Sequence, residues 1–124
     1  MTKESHLIFD PATLPASLEI DDSEILQEFY AEFLSQLEEL KRALARSASA
    51  AANRSELSGT AHKLKSSSQA IGAWQLSNCL RMLEQAAINN TPELQAIFST
   101  TQLLIEPTRM AIRGEITRLS KGVR

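Results

Sequence analysis

The sequence predicts an all-α protein, an up-and-down four-helix bundle with an additional short N-terminal helix and a kinked C-terminal helix. Three observations support this prediction. Only 5% of the residues are aromatic and only four of 124 are glycine, a composition that suits helices better than sheets. Apolar residues recur at spacings of three and four, and no strand-like alternation of convincing length appears. The length and the 43% hydrophobic fraction predict one domain, residues 1–124, with one core.

The first helix is predicted to begin at Asp10-Pro11 and to be short, because Pro15 follows. A second start is marked by Asp21, with Glu24 three residues later. From there a long helix is expected to continue to about residue 50. Its apolar stripe is expected at Ile25, Phe29, Phe33, Leu37, Leu40 and Leu44.

The third helix is predicted to be capped by Asn53 with Glu56, and Gly72 ends or bends it. A fourth helix follows and stops at Asn89-Asn90. Its apolar side is expected to consist of Leu76, Cys79, Leu80, Leu83 and Ala87.

The segment Thr91-Pro92-Glu93 begins the fifth helix, with a cap, a first-turn proline and a first-turn acid. Pro107 is expected to kink or break this helix, because proline removes a backbone donor and clashes with the preceding turn. The apolar positions are expected at Leu94, Ile97, Phe98, Thr101 and Ile105, and then at Ile112, Ile116 and Leu119.

Several classes of function are disfavoured by composition. The net charge of −2 argues against general affinity for nucleic acid. No apolar run approaches the length of a membrane span, and the N-terminus lacks the apolar core of a secretory signal. The single cysteine, Cys79, rules out an intramolecular disulfide and fits a cytoplasmic location.

His62 is the most informative residue, because the pattern around it places it on the solvent side of the third helix. It points about 140° away from the centre of the apolar stripe, which consists of Leu57, Ala61, Leu64, Ser68 and Ile71. Lys65 lies one turn later, and Ser66 and Gln69 lie on the same side. An exposed, mostly neutral imidazole beside an ammonium group is a plausible nucleophile, although a surface histidine without a role fits the same pattern.

Other chemistries find less support in the sequence. Zinc needs three or four ligands, whereas His6 is the only other histidine and Cys79 lies on an apolar stripe. The nucleophile-elbow motif that would indicate a hydrolase is absent from the sequence, although catalytic triads can assemble from distant positions. The sequence also contains no glycine-rich loop of the kind that binds the phosphates of ATP.

The segment from His62 to Ala73, His-Lys-Leu-Lys-Ser-Ser-Ser-Gln-Ala-Ile-Gly-Ala, resembles the signature of the histidine-containing phosphotransfer (Hpt) domain. That signature is His-x-Leu-Lys-Gly-Ser-Ser followed by Gly-Ala. The resemblance extends to the upstream Phe-Asp-Pro segment and the helix from Ile25 to Leu34. It also includes the downstream Leu-x-x-Cys-Leu-x-x-Leu-Glu-x-Ala pattern.

The resemblance implies a monomeric bundle that carries a phosphoryl group between proteins and has no kinase activity of its own. His62 would accept the group, through its outer ring nitrogen, from an aspartate of one receiver domain and pass it to another receiver. The partners would be the receiver domains of a hybrid histidine kinase and of a response regulator. Lys65 would steady the phosphoryl oxygens. The Mg²⁺ would belong to the receiver, so no cofactor of the chain itself is expected.

Two positions depart from the usual pattern of the family. Ser66 stands where glycine usually follows the lysine. Its hydroxyl could bond the phosphoryl group. Serine in place of glycine could also slow the transfer or narrow the choice of partner. Glu84 stands where family members often have glutamine on the next helix. Its carboxylate could repel a phosphoryl group or hold the imidazole by accepting its second N–H.

Two alternatives remain open at this stage. Ser66 is compatible with an adaptor of the same fold that binds receiver or kinase domains without transfer. A dimerisation domain of a histidine kinase also carries a histidine on a helix, but it usually has an acid directly after that histidine, where this chain has Lys63. The initial Met1 favours a free-standing protein.

Overall fold

The chain folds into five α-helices in a computed structural model that describes residues 7–47 and 53–122. The helices are α1 (Thr13–Leu18), α2 (Ser23–Ser47), α3 (Arg54–Ile71), α4 (Trp74–Asn89) and α5 (Leu94–Ser120). α3 packs against α2 and α4, and α5 packs against the same two helices from the other side. The short α1 lies against α3. The described residues contain no strand, and the predicted all-α bundle is confirmed.

The ends of α3 follow from its sequence. The side chain of Asn53 accepts a hydrogen bond from the backbone N–H of Glu56, as the capping pattern predicts. Gly72 ends the helix in the left-handed region, with φ of 91°, and its N–H donates to the carbonyl oxygen of Gln69. Ala73 donates to the carbonyl oxygen of Ser68, so two of the last four carbonyl groups of the helix find partners in the turn that follows it.

Three helix starts lie later than predicted. α5 begins at Leu94, so Pro92 and Glu93 precede its first turn, and its cap residue, Glu93, makes no side-chain cap hydrogen bond. α1 begins at Thr13, and Pro15 lies in its first turn, where a missing N–H removes no intrahelical bond. The carboxylate of Asp22, rather than Asp21, caps α2 by accepting from the N–H groups of Glu24 and Ile25. α2 ends at Ser47, and its predicted extension to residue 50 lies outside the described residues.

Of the kink or break predicted at Pro107, the break is wrong, because α5 continues from Leu94 through Pro107 to Ser120. Proline removes one donor, the N–H that would bond to the carbonyl oxygen of Leu103. Leu103 is 76% exposed, so water can satisfy that carbonyl group.

The core confirms most predicted stripes but not the start of the one on α2. Ile25 and Phe29, expected inside, are 40% and 45% exposed, whereas Leu26 and Tyr30 are buried. Tyr30 packs edge-on against Phe9 of the N-terminal segment, with ring centroids 5.7 Å apart. On α5, Ile97 and Ile116 are only partly buried. The remaining predicted positions are buried, among them Leu37, Leu40, Leu57, Leu64, Leu76, Leu80, Leu83, Phe98 and Ile112.

The N-terminal segment is fixed across the α3–α4 turn. The N–H of Asp10 donates to the carbonyl oxygen of Gly72 at 2.9 Å, and the N–H of Gln75 donates to that of Leu7 at 3.0 Å. A Cβ at Gly72 would lie 2.5 Å from the carbonyl oxygen of Asp10. Glycine is therefore required there both by the left-handed turn and by the close approach of this segment.

Candidate functional site

His62 lies on the solvent face of α3, with 69% of its side chain exposed. Its neighbours Ala61 and Leu64 are fully buried, and this contrast is what the apolar stripe predicts. The ring is therefore accessible to another protein, while its backbone belongs to a helix held in the core.

Glu84 of α4 contacts both His62 and Lys65 of α3. Its Oε2 lies 2.7 Å from Nδ1 of His62, and its Oε1 accepts from Nζ of Lys65 at 2.6 Å. The carboxylate is nearly buried, with 10% of the side chain exposed, and Lys65 is 29% exposed. Glu84 therefore acts as the acceptor for both groups, and each of its oxygens has its own partner.

The electrostatics of this cluster decide which ring nitrogen carries the proton. The hydrogen bond from Lys65 lowers the pKa of Glu84, burial opposes it, and the bond to His62 lowers the pKa further. An ionised carboxylate can only accept hydrogen bonds, so the proton of a neutral His62 ring lies on Nδ1. The lone pair is then on Nε2, the nitrogen that does not contact Glu84.

Contacts between α3 and α4 on both sides of the cluster fix its geometry. The hydroxyl of Ser77 donates to the carbonyl oxygen of Lys65 at 3.0 Å. The guanidinium of Arg54 donates to the carbonyl oxygen of Ala87 at 2.9 Å. Because these bonds join side chains to the opposite backbone, they hold the register that places Glu84 opposite His62.

The structure separates the predicted site residues into two groups. His62, Lys65 and Glu84 are in direct contact. Ser66 and Gln69 are exposed and lie farther along α3. They line a shallow polar depression of about 350 Å³ that begins at Lys65 and is completed from α4 by Trp74, Ser77, Asn78 and Arg81.

Sequence reasoning missed the contribution of α4 to this depression. Arg81 precedes Glu84 by three residues and Ser77 precedes Arg81 by four, which places the three on one side of the helix. That spacing, counted back from Glu84, is a signal from which the two could have been found.

Other parts of the molecule offer less for chemistry. Among residues 7–47 and 53–122 there is no group of three metal-ligating side chains, and His6 lies outside these ranges. Cys79 is buried, with Sγ 3.0 Å from Oγ1 of Thr101, and burial raises the pKa of its thiol. None of the helices in the described part of the chain has the length and apolarity of a membrane span.

Comparison with known families identifies the family to which the chain belongs. The family model of the Hpt domain matches residues 24–122, which include His62, Lys65 and Glu84. No curated protein and no solved structure gives a significant match. Hpt domains are phosphocarrier modules rather than kinases and serve histidine phosphotransfer in phosphorelays through receiver domains. With most of its length matched, the chain belongs to the Hpt domain family.

Proposed function

We propose that His62 accepts a phosphoryl group from the aspartyl phosphate of one receiver domain and passes it to an aspartate of a second receiver. The observation that carries this proposal is the exposed imidazole whose Nδ1 is held by the nearly buried carboxylate of Glu84. This arrangement leaves the Nε2 lone pair as the nucleophile that faces solvent.

In the transfer step Nε2 attacks the phosphorus atom, a new N–P bond forms, and the P–O bond to the aspartate breaks. The aspartate leaves as a carboxylate with the electron pair of that bond. The ring keeps its Nδ1 proton and gains positive charge, which the adjacent Glu84 carboxylate stabilises. Passing the group to the second receiver reverses these bond changes.

Lys65 is the cation on this side of the reaction. Its ammonium group is 2.6 Å from Glu84 and partly exposed, one helical turn from His62. From there it can bond to phosphoryl oxygens that arrive on Nε2. The receiver supplies the Mg²⁺, so the carrier needs no metal or cofactor of its own.

The two partners are proposed to be the receiver of a hybrid histidine kinase and that of a response regulator, in the cytoplasm. Ser66 is small and exposed beside the site and leaves space for a docked receiver, which transfer and the adaptor alternative both require. Gln69 lies on the same exposed side and is available for polar contacts with that receiver.

Labelling of His62 tests the proposal directly. A receiver phosphorylated with ³²P is mixed with the wild-type chain and with the His62→Gln and His6→Gln variants. Acid-labile label is expected on the wild type and on His6→Gln, and its loss is expected in His62→Gln. Label that persists in His62→Gln would show that the phosphorylated residue is another one. Binding of receivers without label from any of them would establish the adaptor instead.

A further inference from the structure

The polar depression between α3 and α4 contains two cationic side chains and no carboxylate. It is lined by Lys65, Ser66, Gln69, Trp74, Ser77, Asn78 and Arg81. Glu84 lies outside this lining, and each of its carboxylate oxygens is already bonded to His62 or Lys65. The side chains of Ser66 and Gln69 are exposed and can donate further hydrogen bonds. A concave surface of this composition attracts a negatively charged group.

Arg81 is the cation of the depression that has no negative partner in the described part of the chain. The residue is exposed, and its guanidinium donates to the neutral Oδ1 of Asn78 at 3.2 Å. No carboxylate among residues 7–47 and 53–122 forms an ion pair with it. Because a guanidinium carries five N–H donors in a planar fork, Arg81 still has donors that can bind a carboxylate through two parallel hydrogen bonds.

The polar depression on the other side of α3 has a different character. It lies between α2 and α3, and its lining includes the carboxylate of Glu39 as well as Arg42, Arg46 and Lys63. Lys63 lies 3.5 Å from Glu39, and Arg46 pairs with Glu56. An incoming carboxylate would be repelled by Glu39 there, whereas no residue in the lining of the α3–α4 depression carries a negative charge.

A protein that docks over His62 also covers the α3–α4 depression. Lys65, where the depression begins, is one helical turn from His62, and Arg81 is one turn from Glu84. The receiver in the proposed transfer holds an aspartate and Mg²⁺, and proteins bind Mg²⁺ through carboxylates. The surface that the receiver presents to His62 is therefore acidic, and an additional Asp or Glu at the edge of that surface comes within reach of Arg81.

We propose that the depression binds an Asp or Glu side chain at the edge of the receiver's active site, in an ion pair with Arg81. The inference rests on the proposed function for the identity of the partner. Arg81 acts in docking rather than in phosphoryl transfer, because its hydrogen bond goes to Asn78 rather than to the cluster around Glu84. The chain therefore selects receivers with an acidic residue at this point over receivers with a basic one.

Calorimetric titration with an unphosphorylated receiver tests the ion pair. Arg81→Glu is expected to raise the Kd at least tenfold, because like charges then face each other. Arg81→Gln is expected to raise it about two- to fivefold, because an exposed ion pair contributes modestly. The matched control is Arg113→Glu, which makes the same change in net charge at an exposed site on α5 and should leave the Kd within about twofold of the wild-type value.

The choice of receiver separates this inference from the proposed function. The receiver used is the one that binds the wild type most tightly, whether or not it labels His62. If Arg81→Glu binds as tightly as the wild type, or if Arg113→Glu weakens binding equally, the inference is overturned while any labelling of His62 still stands. A chain that binds no receiver overturns the inference together with the proposed function.

Trp74 and the acidic residues of the receiver locate the contact. Trp74 is the only tryptophan of the chain and lines the depression, so a ¹⁵N-labelled indole gives one signal. This signal is expected to shift as the receiver is added, and an unchanged signal at saturation overturns the placement. Each acidic residue around the receiver's active site is also replaced by Arg. One such variant is expected to bind Arg81→Glu at least tenfold more tightly than the unaltered receiver does, and failure of all of them to do so overturns the ion pair.

Discussion

Glu84 selects the tautomer of His62. Substitutions at Glu84 can separate this role from the negative charge of its carboxylate. In Glu84→Ala nothing accepts the Nδ1 proton, whereas in Glu84→Gln the amide oxygen can still accept it. Loss of a hydrogen bond of this kind corresponds to about a tenfold change. We therefore expect phosphorylation of His62 to be about tenfold slower in Glu84→Ala. In Glu84→Gln, which keeps the acceptor but loses the negative charge beside the ring, we expect a rate between those of Glu84→Ala and the wild type.

The measurement combines phosphotransfer rates with ¹⁵N chemical shifts of the imidazole ring, which report the protonated nitrogen. Glu84→Ala should shift the tautomer toward Nε2–H, and Glu84→Gln should not. Equal rates and equal shifts in both variants would mean that Glu84 has no part in orienting the ring.

The same carboxylate predicts a pH dependence of stability. Chiefly because of Lys65, the pKa of Glu84 in the folded protein is below the ordinary value of 4.5. The ionised form is therefore favoured by folding, and its stabilisation is complete above the unfolded pKa. It is lost as pH falls through the lowered folded pKa. The part of the difference in free energy of unfolding between wild type and Glu84→Gln that comes from ionisation of Glu84 should thus be fully present above about pH 5 and shrink below about pH 4.5. Urea titrations at each pH measure it, and a difference that is the same at pH 3 and pH 7 refutes this expectation.

At the scale of single residues, the sequence predicts the part of the site on α3 much better than the part on α4. The exposure of His62 and its nearness to Lys65 follow from the rotation of a single helix, and both are confirmed. The contacts of Glu84 depend on the register of α4 against α3, which no spacing within one helix determines. Only the resemblance to the Hpt signature indicated that Glu84 lies near the ring.

At the scale of the helices, the end of α3 also positions the N-terminal segment. Gly72→Ala would place a left-handed φ on a residue with a Cβ, which costs about 1–2 kcal/mol, and would bring that Cβ 2.8 Å from Oγ1 of Thr13. We expect a total destabilisation of at least about 2 kcal/mol, measured by urea unfolding. Gly59→Ala is the matched control, because that glycine lies within α3 with no described atom near its Cβ. It should be stabilising by up to about 1 kcal/mol. Similar effects of both substitutions would argue against the close approach at Gly72.

The helix boundaries show where local rules suffice. Asn53 and Gly72 end α3 as predicted, because a cap is a contact within one turn of the chain. The error on α2 has a different origin. Two stripes continue to Phe33 at spacings of three or four: one through Ile25 and Phe29, the other through Leu26 and Tyr30. The second pair is buried because Phe9, remote in sequence, covers Tyr30. A tertiary contact of this kind decides between two equally periodic stripes.

For the molecule as a whole, the bundle serves as a scaffold whose stability is separable from the chemistry of its surface. Leu37 of α2 is fully buried, and the reacting cluster is formed by α3 and α4 alone. Leu37→Ala should lower the free energy of unfolding by about 2–5 kcal/mol. At a temperature where the variant remains folded, phosphorylation of His62 should stay within about twofold of the wild-type rate, because the contacts of Glu84 are intact. Thermal unfolding followed by circular dichroism, together with transfer rates on the same samples, measures both quantities. A rate that falls by much more than the folded fraction would show that the core of α2 takes part in positioning His62.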